Sequence, residues 1–515
     1  MSRFNLIEEK WIPVRFPDGT RDELGIRDTL LRAKEIAAIE DSSPLVVASL
    51  HRFLLAVLYR ALEGPTDIDQ AKELFKAGLP SDKIADYLKK WQGRFWLFDE
   101  NYPFYQVSRY EPKEKSGKKQ WRSWTAMAAE HNADTAKVLF DHVDTGNAGT
   151  IPTKNAVQWL IACQTFAVGG GNSDFQYTKS APSASAVMAI PLGENLHDTL
   201  LLSLVPENRE ILQADHPIWE REPESLESLQ RGLTRTDFGC TDRYTWRSRS
   251  IRLNLNNDGK EVAELVFASG IGCRVEDRTD PMLGYRIDEK IGKLPIQFRE
   301  RGVWRDFDSL LPDELHLAPQ VIENAVALTR SCLDRFPRSV MILGQANNKA
   351  KIEFWRMERF LLPTALAGDK YIRSDIRRFL DAAEDTQKTL WLACSSYARD
   401  LLSRGDRKPE GKDINAFVSQ MPSIPYYWST LEAKFHAILQ AYTLEKDPDE
   451  IELEWLQELR AALKDSWEQH RAAVFMGDAW AIRALVKAEG RVSKRIKELD
   501  KTIADFQKNL NKENL

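Results

Sequence analysis

Cysteine is scarce and scattered in this chain of 515 residues. Its five cysteines, Cys163, Cys240, Cys273, Cys332 and Cys394, stand singly. The absence of any CxxC pair argues against a thiolate zinc site. An odd, unpaired set suits the reduced thiols of a cytoplasm. Histidine is also sparse: eight residues, spread from His51 to His470, without HExxH or HxH spacing. The neighbours Asp141-His142 and His197-Asp198 hint at a metal hydrolase. Such a site needs three or four converging ligands, and isolated histidines are more often surface or satisfied core groups. GxGxxG, GxxxxGK[ST] and GxSxG are missing, so dinucleotide, P-loop and serine-elbow chemistry are not indicated. No apolar run approaches the eighteen residues of a membrane-crossing helix. The opening MSRFNLIEEKWIPV lacks the basic-then-apolar pattern of a signal peptide. Positive charge is not in excess either. There are 72 Lys and Arg against 77 Asp and Glu, a net charge of -5. Nucleic-acid contact would therefore have to come from local patches. The expectation is a soluble, cytoplasmic, non-enzymatic chain with no cofactor and no metal.

What is present is apolar and aromatic. Hydrophobic residues make up 43% and aromatic residues 10%, with fifteen tryptophans. A chain this long exceeds one core and predicts two to four domains. The pattern predicts an α+β fold in two parts. Residues 1–372 form a large, irregular, mixed domain, and residues 373–515 a C-terminal four-helix bundle. In the first part, Trp11–Val14 before Pro17-Asp18-Gly19 reads as strand and turn. Residues 44–63 read as a helix, and 198–205, 251–255 and 262–267 as strands. In the second part, helical stretches lie near 376–403 and around Trp428–Tyr442, Leu456–Trp467 and Val492–Leu510. The loops Pro422–Pro425 and Asp447–Asp449 separate them. The last stretch alternates apolar steps of four and three.

Three patches bear on nucleic acid. Arg243–Arg252 (RYTWRSRSIR) interleaves four arginines with Tyr244 and Trp246, a composition that grips phosphates and stacks on bases. A strand with one charged face explains it equally well. The last helix carries Arg491, Lys494 and Arg495 among other cations. These are either a solvated bundle face or a phosphate-tracking one. Residues 336–360 read as a hairpin: Val340–Leu343, a tip from Gly344 to Lys349, then Ile352–Trp355. Tip amides can pair with base edges, and a lysine can reach a phosphate.

These features stand in a familiar order. Phe4-Asn5-Leu6-Ile7 with Trp11-Ile12-Pro13-Val14 is similar to the opening signature of the CasA family, the large subunits of the type I-E CRISPR surveillance complex Cascade. Tyr102-Pro103-Phe104-Tyr105-Gln106 resembles the next landmark. The Gly169–Gly171 triple, the Asn347-Asn348 pair and the C-terminal bundle follow at similar spacing, so the resemblance spans the whole chain.

The resemblance implies a non-catalytic subunit of an RNA-guided antiviral complex. Guide pairing reads the target, while this subunit reads the flanking motif (PAM) in double-stranded DNA and starts duplex opening towards an R-loop. It implies a PAM-reading glycine segment at Gly169, Gly170 and Gly171, and a recognition loop near Phe140, His142 and Asn147. It also implies a hairpin wedge at Gln345, Asn347, Asn348 and Lys349. Lys349 stands where the best-known pattern has a glutamine. A basic finger falls to Arg274, with Lys260 second. The bundle, through Arg491, Lys494 and Arg495, would contact the DNA backbone. The implied partners are target DNA, the guide-RNA ribonucleoprotein with its small and backbone subunits, and a recruited helicase-nuclease. The other classes considered are a metal-dependent nuclease and a scaffold that reads no DNA.

Overall fold

The computed structural model describes the chain except residues 1–3, 132–147, 172, 257, 275–278, 312–315, 331, 336, 338, 349–350, 364–370, 406–407, 445, 475–476 and 514–515. It is a mixed α+β structure of several small sheets followed by long helices, as the sequence pattern predicts. The chain divides into two compact units. One comprises Met1–Val303 with Ser309–Phe360, the other Trp304–Asp308 with Leu361–Leu515.

The mixed unit opens with strands β1 (Ile12–Arg15) and β2 (Arg21–Leu24), which pair antiparallel across the turn holding Gly19 at φ +87°. Helix α1 (Pro44–Leu62) is long and apolar enough to cross a membrane, but 94% of its apolar window is buried inside the protein. It starts on Ser43, whose hydroxyl accepts from the Val46 amide, with proline at the first helical position where its missing N–H costs nothing. Helix α2 (Thr153–Phe166) packs beside it. Three further strands follow: β3 (Val187–Leu192), buried along nearly its whole length, β4 (Arg249–Leu255) and β5 (Glu261–Ser269), the last two antiparallel to each other. The unit closes with β6 (Ser339–Asn348) and β7 (Lys351–Leu361), in a sheet ordered β7-β6-β3.

The family landmarks turn out to be core pegs. Trp11 is buried and its indole N–H donates to the Leu6 carbonyl at 2.8 Å. Phe104 lies in an aromatic cluster with Phe53, Phe95 and Trp219. Gln106 donates to Leu97 O and accepts from Leu253 N, pinning its loop to β4.

Residues 198–205 are not a strand. Helix Leu196–Ser203 occupies that stretch, capped by the Asn195 side chain accepting from Asp198 N. All eight of its residues are buried. A short run buried on every side carries no periodicity that separates helix from strand.

The helical unit holds α3 (Tyr371–Ser403), α4 (Ser423–Thr443), α5 (Pro448–Ala473) and α6 (Ala479–Glu513), with the short helix Gly411–Ser419 between α3 and α4. The expected Pro422–Pro425 loop is mostly helix. Pro425 falls in the first turn of α4, where no intrahelical N–H is lost. The stripe Val492, Leu499, Ile503 faces inward, and Tyr427, Phe435, Leu459 and Leu463 fill the middle.

Candidate nucleic-acid interface

The glycine segment leaves the C-terminus of α2 and folds back on residues 176–181. Gly169 N donates to the Ser180 hydroxyl at 2.8 Å, Gly170 N to Thr178 O at 2.9 Å, and Thr178 N to Gly171 O at 3.1 Å. A Cβ on Gly169 would lie 2.4 Å from Ser180 N and 2.8 Å from Thr178 O, so only glycine lets the two strands approach. Gly171 has open space but φ +70°, and Gly170 has φ +146°, both in the region L side chains avoid. The chain then exposes backbone at Gly171 with Tyr177 and Lys179 beside it.

Arg249, at the start of β4, holds this turn from beneath. It is 2% exposed, and its guanidinium donates to Lys179 O, Ser248 O and Val168 O at 2.7–2.9 Å. It therefore joins the two stems of the glycine turn. Burial pulls its pKa down to about 10, which still leaves it charged at neutral pH. Ser173 ties the far end of the turn to β5 through Ser269 Oγ and Ser269 N.

Arg249 belongs to the basic run, and the rest of that run is also spent internally. Arg243 pairs with Asp237 at 2.7 Å, Arg247 with Glu224, and Arg252 with Glu111. Tyr244 and Trp246 are buried, and Arg52 and Arg235 each lie 4.2 Å from one of their rings. The run is structural, not a phosphate-gripping surface. It runs from the end of the helix Cys240–Tyr244 through a turn into β4, which begins at Arg249, so it is not one strand with a charged face either.

The hairpin differs from its predicted outline. Gly344 sits inside β6, paired with Val187, and the strand continues to Asn348. Gln345 is consequently no tip residue. It is fully buried, and its amide donates to Phe166 O at 2.7 Å, the last carbonyl of α2. That removes it from any DNA-contacting surface. Asn347 is half buried and accepts from Ser185 Oγ, whereas Asn348 is exposed. Lys349, Phe140, His142 and Asn147 lie outside the described residues.

Arg274 and Lys260 are both exposed, but on different elements. Arg274 follows Gly272-Cys273, which pairs with Thr234-Arg235. A Cβ on Gly272 would meet Lys179 Cδ at 2.9 Å, so this finger adjoins the glycine turn through Lys179. Lys260 instead sits in the β4–β5 turn, where its carbonyl accepts from both N and Oγ1 of Thr153. In the helical unit Arg491 and Lys494 are exposed. Arg495 turns inward, donating to Thr386 Oγ1 at 3.1 Å, and so is not a free phosphate contact.

One cavity of about 200 Å³ in the mixed unit is bordered by Gly170 of the glycine segment, Ile352 just beyond the hairpin tip, and Met127 and Ala129, which precede residues 132–147. Two separately inferred elements, the glycine segment and the hairpin, thus border one cavity. Lys179 and Tyr177 were missed by sequence reasoning. The available signal was their position, the return strand opposite a triple glycine. Among the described residues no group of three or more His, Cys, Asp or Glu could hold a metal. His197 is buried, accepts at Nε2 from Leu79 N and faces Asp198 at Nδ1, a satisfied core histidine. The cysteines are all free, and burial pushes the Cys163 thiol up to about 12.

Comparison with known proteins agrees with this architecture. A family model for CRISPR-associated protein Cse1 matches residues 5–466. CRISPR-associated protein CasA/Cse1 of Thermus thermophilus is 32% identical over 98% of this chain and 99% of its own. A crystal structure of Thermus thermophilus CasA superposes with a TM-score of 0.84 at 30% identity, covering 96% of this chain and 100% of that one. A chain of a CRISPR RNA-guided surveillance complex, 18% identical, shares the fold with a TM-score of 0.71 over 96% of this chain and 100% of its own. With the family model spanning most of its length and a relative above 30% identity end to end, this chain belongs to the CRISPR-associated Cse1 (CasA) family.

Proposed function

We propose that this chain is the PAM-reading, duplex-opening subunit of a type I-E RNA-guided DNA-surveillance complex, acting without catalysis of its own. The observation that carries the reading is that the glycine segment and the hairpin, inferred separately, border one cavity. A tight glycine turn lets backbone groups enter a groove that side chains would block. Lys179 and Arg274 adjoin that turn as exposed cations for flanking phosphates. Asn348, exposed at the hairpin end, intrudes beside the flank in this reading. Unstacking a step there costs on the order of a few kcal/mol, offset by guide pairing and new contacts.

In this reading the partners are the guide-RNA ribonucleoprotein with small and backbone subunits, double-stranded target DNA, and a helicase-nuclease recruited after R-loop formation. Cleavage belongs to that last partner. Arg491 and Lys494 on α6 track displaced DNA.

The test is target-duplex binding by the reconstituted guide complex, with and without this subunit, across a randomised flank. The expected result is flank selectivity only with the subunit present, lost in Gly170→Asp and weakened in Asn348→Ala. Unchanged selectivity without the subunit would leave a scaffold role instead.

A further inference from the structure

The cavity beside the glycine segment has a composition that a mere packing defect lacks. At about 200 Å³ it is smaller than the ~300–1,000 Å³ clefts that take drug-sized ligands. Phe166 and Met127 are buried in its wall, and Trp159 and Phe267 are half buried. These are flat or pliable apolar surfaces suited to a planar ring. Two guanidinium groups interrupt them. Arg122 is exposed, 5.9 Å from the Phe267 ring centroid. Arg249 also lines the cavity, and it has given three of its five N–H hydrogens to carbonyls. Two N–H hydrogens therefore remain uncommitted on a cation that borders the cavity.

Aromatic walls, guanidinium donors in the lining and an exposed cation are what an unstacked nucleotide requires. The rings stack on the base, the donors meet its ring nitrogens or carbonyl oxygens, and the outer cation meets its phosphate. Position supplies the occupant. Gly170 and Ile352 border the cavity, so it lies between the segment proposed to read the flank and the hairpin proposed to split the first pair. We infer that the cavity receives a single nucleobase, extruded from the target duplex when the first base pair beside the flank opens. The inference rests on the duplex-opening reading above. It adds a thermodynamic role: stacking in the cavity offsets the cost of unstacking and holds the opened pair until guide pairing begins.

The experiment uses the complete reconstituted guide complex and duplexes carrying 5-iodo-2′-deoxyuridine at the first position of either strand beside the flank. After near-ultraviolet irradiation, the crosslinked peptide is mapped by mass spectrometry, and permanganate reactivity reports opening in parallel. The expected result is a flank-dependent crosslink to Trp159 or Phe267 from one strand. Ala126→Trp, which fills the half-buried edge of the cavity, should cut its yield ~10-fold, as loss of one stacking contact implies. Flank-dependent opening with crosslinks only outside the cavity lining overturns the base pocket and leaves the duplex-opening reading standing. Absence of any flank-dependent opening overturns that reading and the pocket with it. The wild-type crosslink map decides even if the filled variant does not assemble.

Discussion

At Gly169 one methyl group decides the local backbone. An added Cβ 2.4 Å from Ser180 N cannot be relieved by a side-chain rotation, because its neighbours are main chain. Gly169→Ala should therefore cost about 1–3 kcal/mol through overpacking, while Gly171→Ala should cost ~1 kcal/mol, from its φ alone. Urea melts of the two variants should rank in that order, and equal midpoints would contradict the close-approach account. Arg249→Met keeps the bulk but abandons three carbonyls. A loss of about 3 kcal/mol is expected, in the range for breaking a buried charged cluster, together with loss of flank selectivity. Glu130 gives a pH signature. Burial is the main cause of a pKa raised to about 7, and its carboxyl accepts from Ser43, the cap of α1, at 2.5 Å. The folded state thus keeps a proton that the unfolded state releases near 4.5. Stability falls as pH rises from about 4.5 to about 7 and levels off above that, by roughly 3 kcal/mol at most for this group. Glu130→Gln should flatten that part of the stability–pH curve, and an unchanged curve would refute the assignment. None of these environments was legible from the sequence. A triple glycine announces backbone freedom, but not which of its members is jammed. An Arg-Ser-Arg-Ser run looks the same whether its cations meet phosphates or carbonyls.

The elements were read more surely than their ends. β1, β4, β5 and the four long helices lie where hydrophobic spacing puts them, because each presents one apolar face and one wetter one, and α1 is legible from the length of its apolar run and the proline that opens it. Two failures share a cause. The helix Leu196–Ser203 and the β6 segment Gly344–Ala346 are both buried on all sides, polar residues such as His197, Asp198 and Gln345 included, so polarity there does not track exposure and marks neither period nor boundary. Gly344 looked like a turn. It is in fact a strand glycine, whose added Cβ would lie 2.4 Å from Ala186 O. The hairpin therefore ends four residues later, and its amides divide into separate roles. Gln345→Ala should destabilise by about 1–3 kcal/mol, since the Phe166 carbonyl loses its donor inside the protein. Asn348→Ala, at an exposed site, should stay within ~0.5 kcal/mol of wild type while weakening flank selectivity. Paired thermal melts and duplex-binding assays separate the two, and a large stability loss in Asn348→Ala would show that the hairpin end is structural too.

For the whole chain, fold class and family were accessible because the landmarks that carry them, Trp11, Phe104 and Gln106, are core pegs that the fold itself requires. The long-range construction of the helical unit was not accessible. Residues 304–308 join that unit from about sixty residues upstream of α3. Trp304 and Phe307 are buried there against Phe435, with ring centroids 5.3 and 5.6 Å away, and Trp304 also meets Trp428 at 5.6 Å. Arg305 stacks 3.5 Å from Trp428 and pairs with Glu384 of α3 at 2.7 Å. A sequence window sees only a short Val-Trp-Arg-Asp-Phe run and nothing that ties it to helices so far away. The consequence can be measured. A fragment starting at residue 373 keeps all four long helices except the first two residues of α3, yet it leaves Phe435 without two aromatic neighbours. Loss of one such ring costs about 3–5 kcal/mol, a large part of what a helical unit of this size can hold. The fragment should therefore unfold at markedly lower urea than the helical transition of the full chain, and Trp304→Ala in the full chain should shift that transition the same way. If the fragment melts cooperatively at the full-chain midpoint, the four helices suffice and the upstream aromatics only decorate the unit.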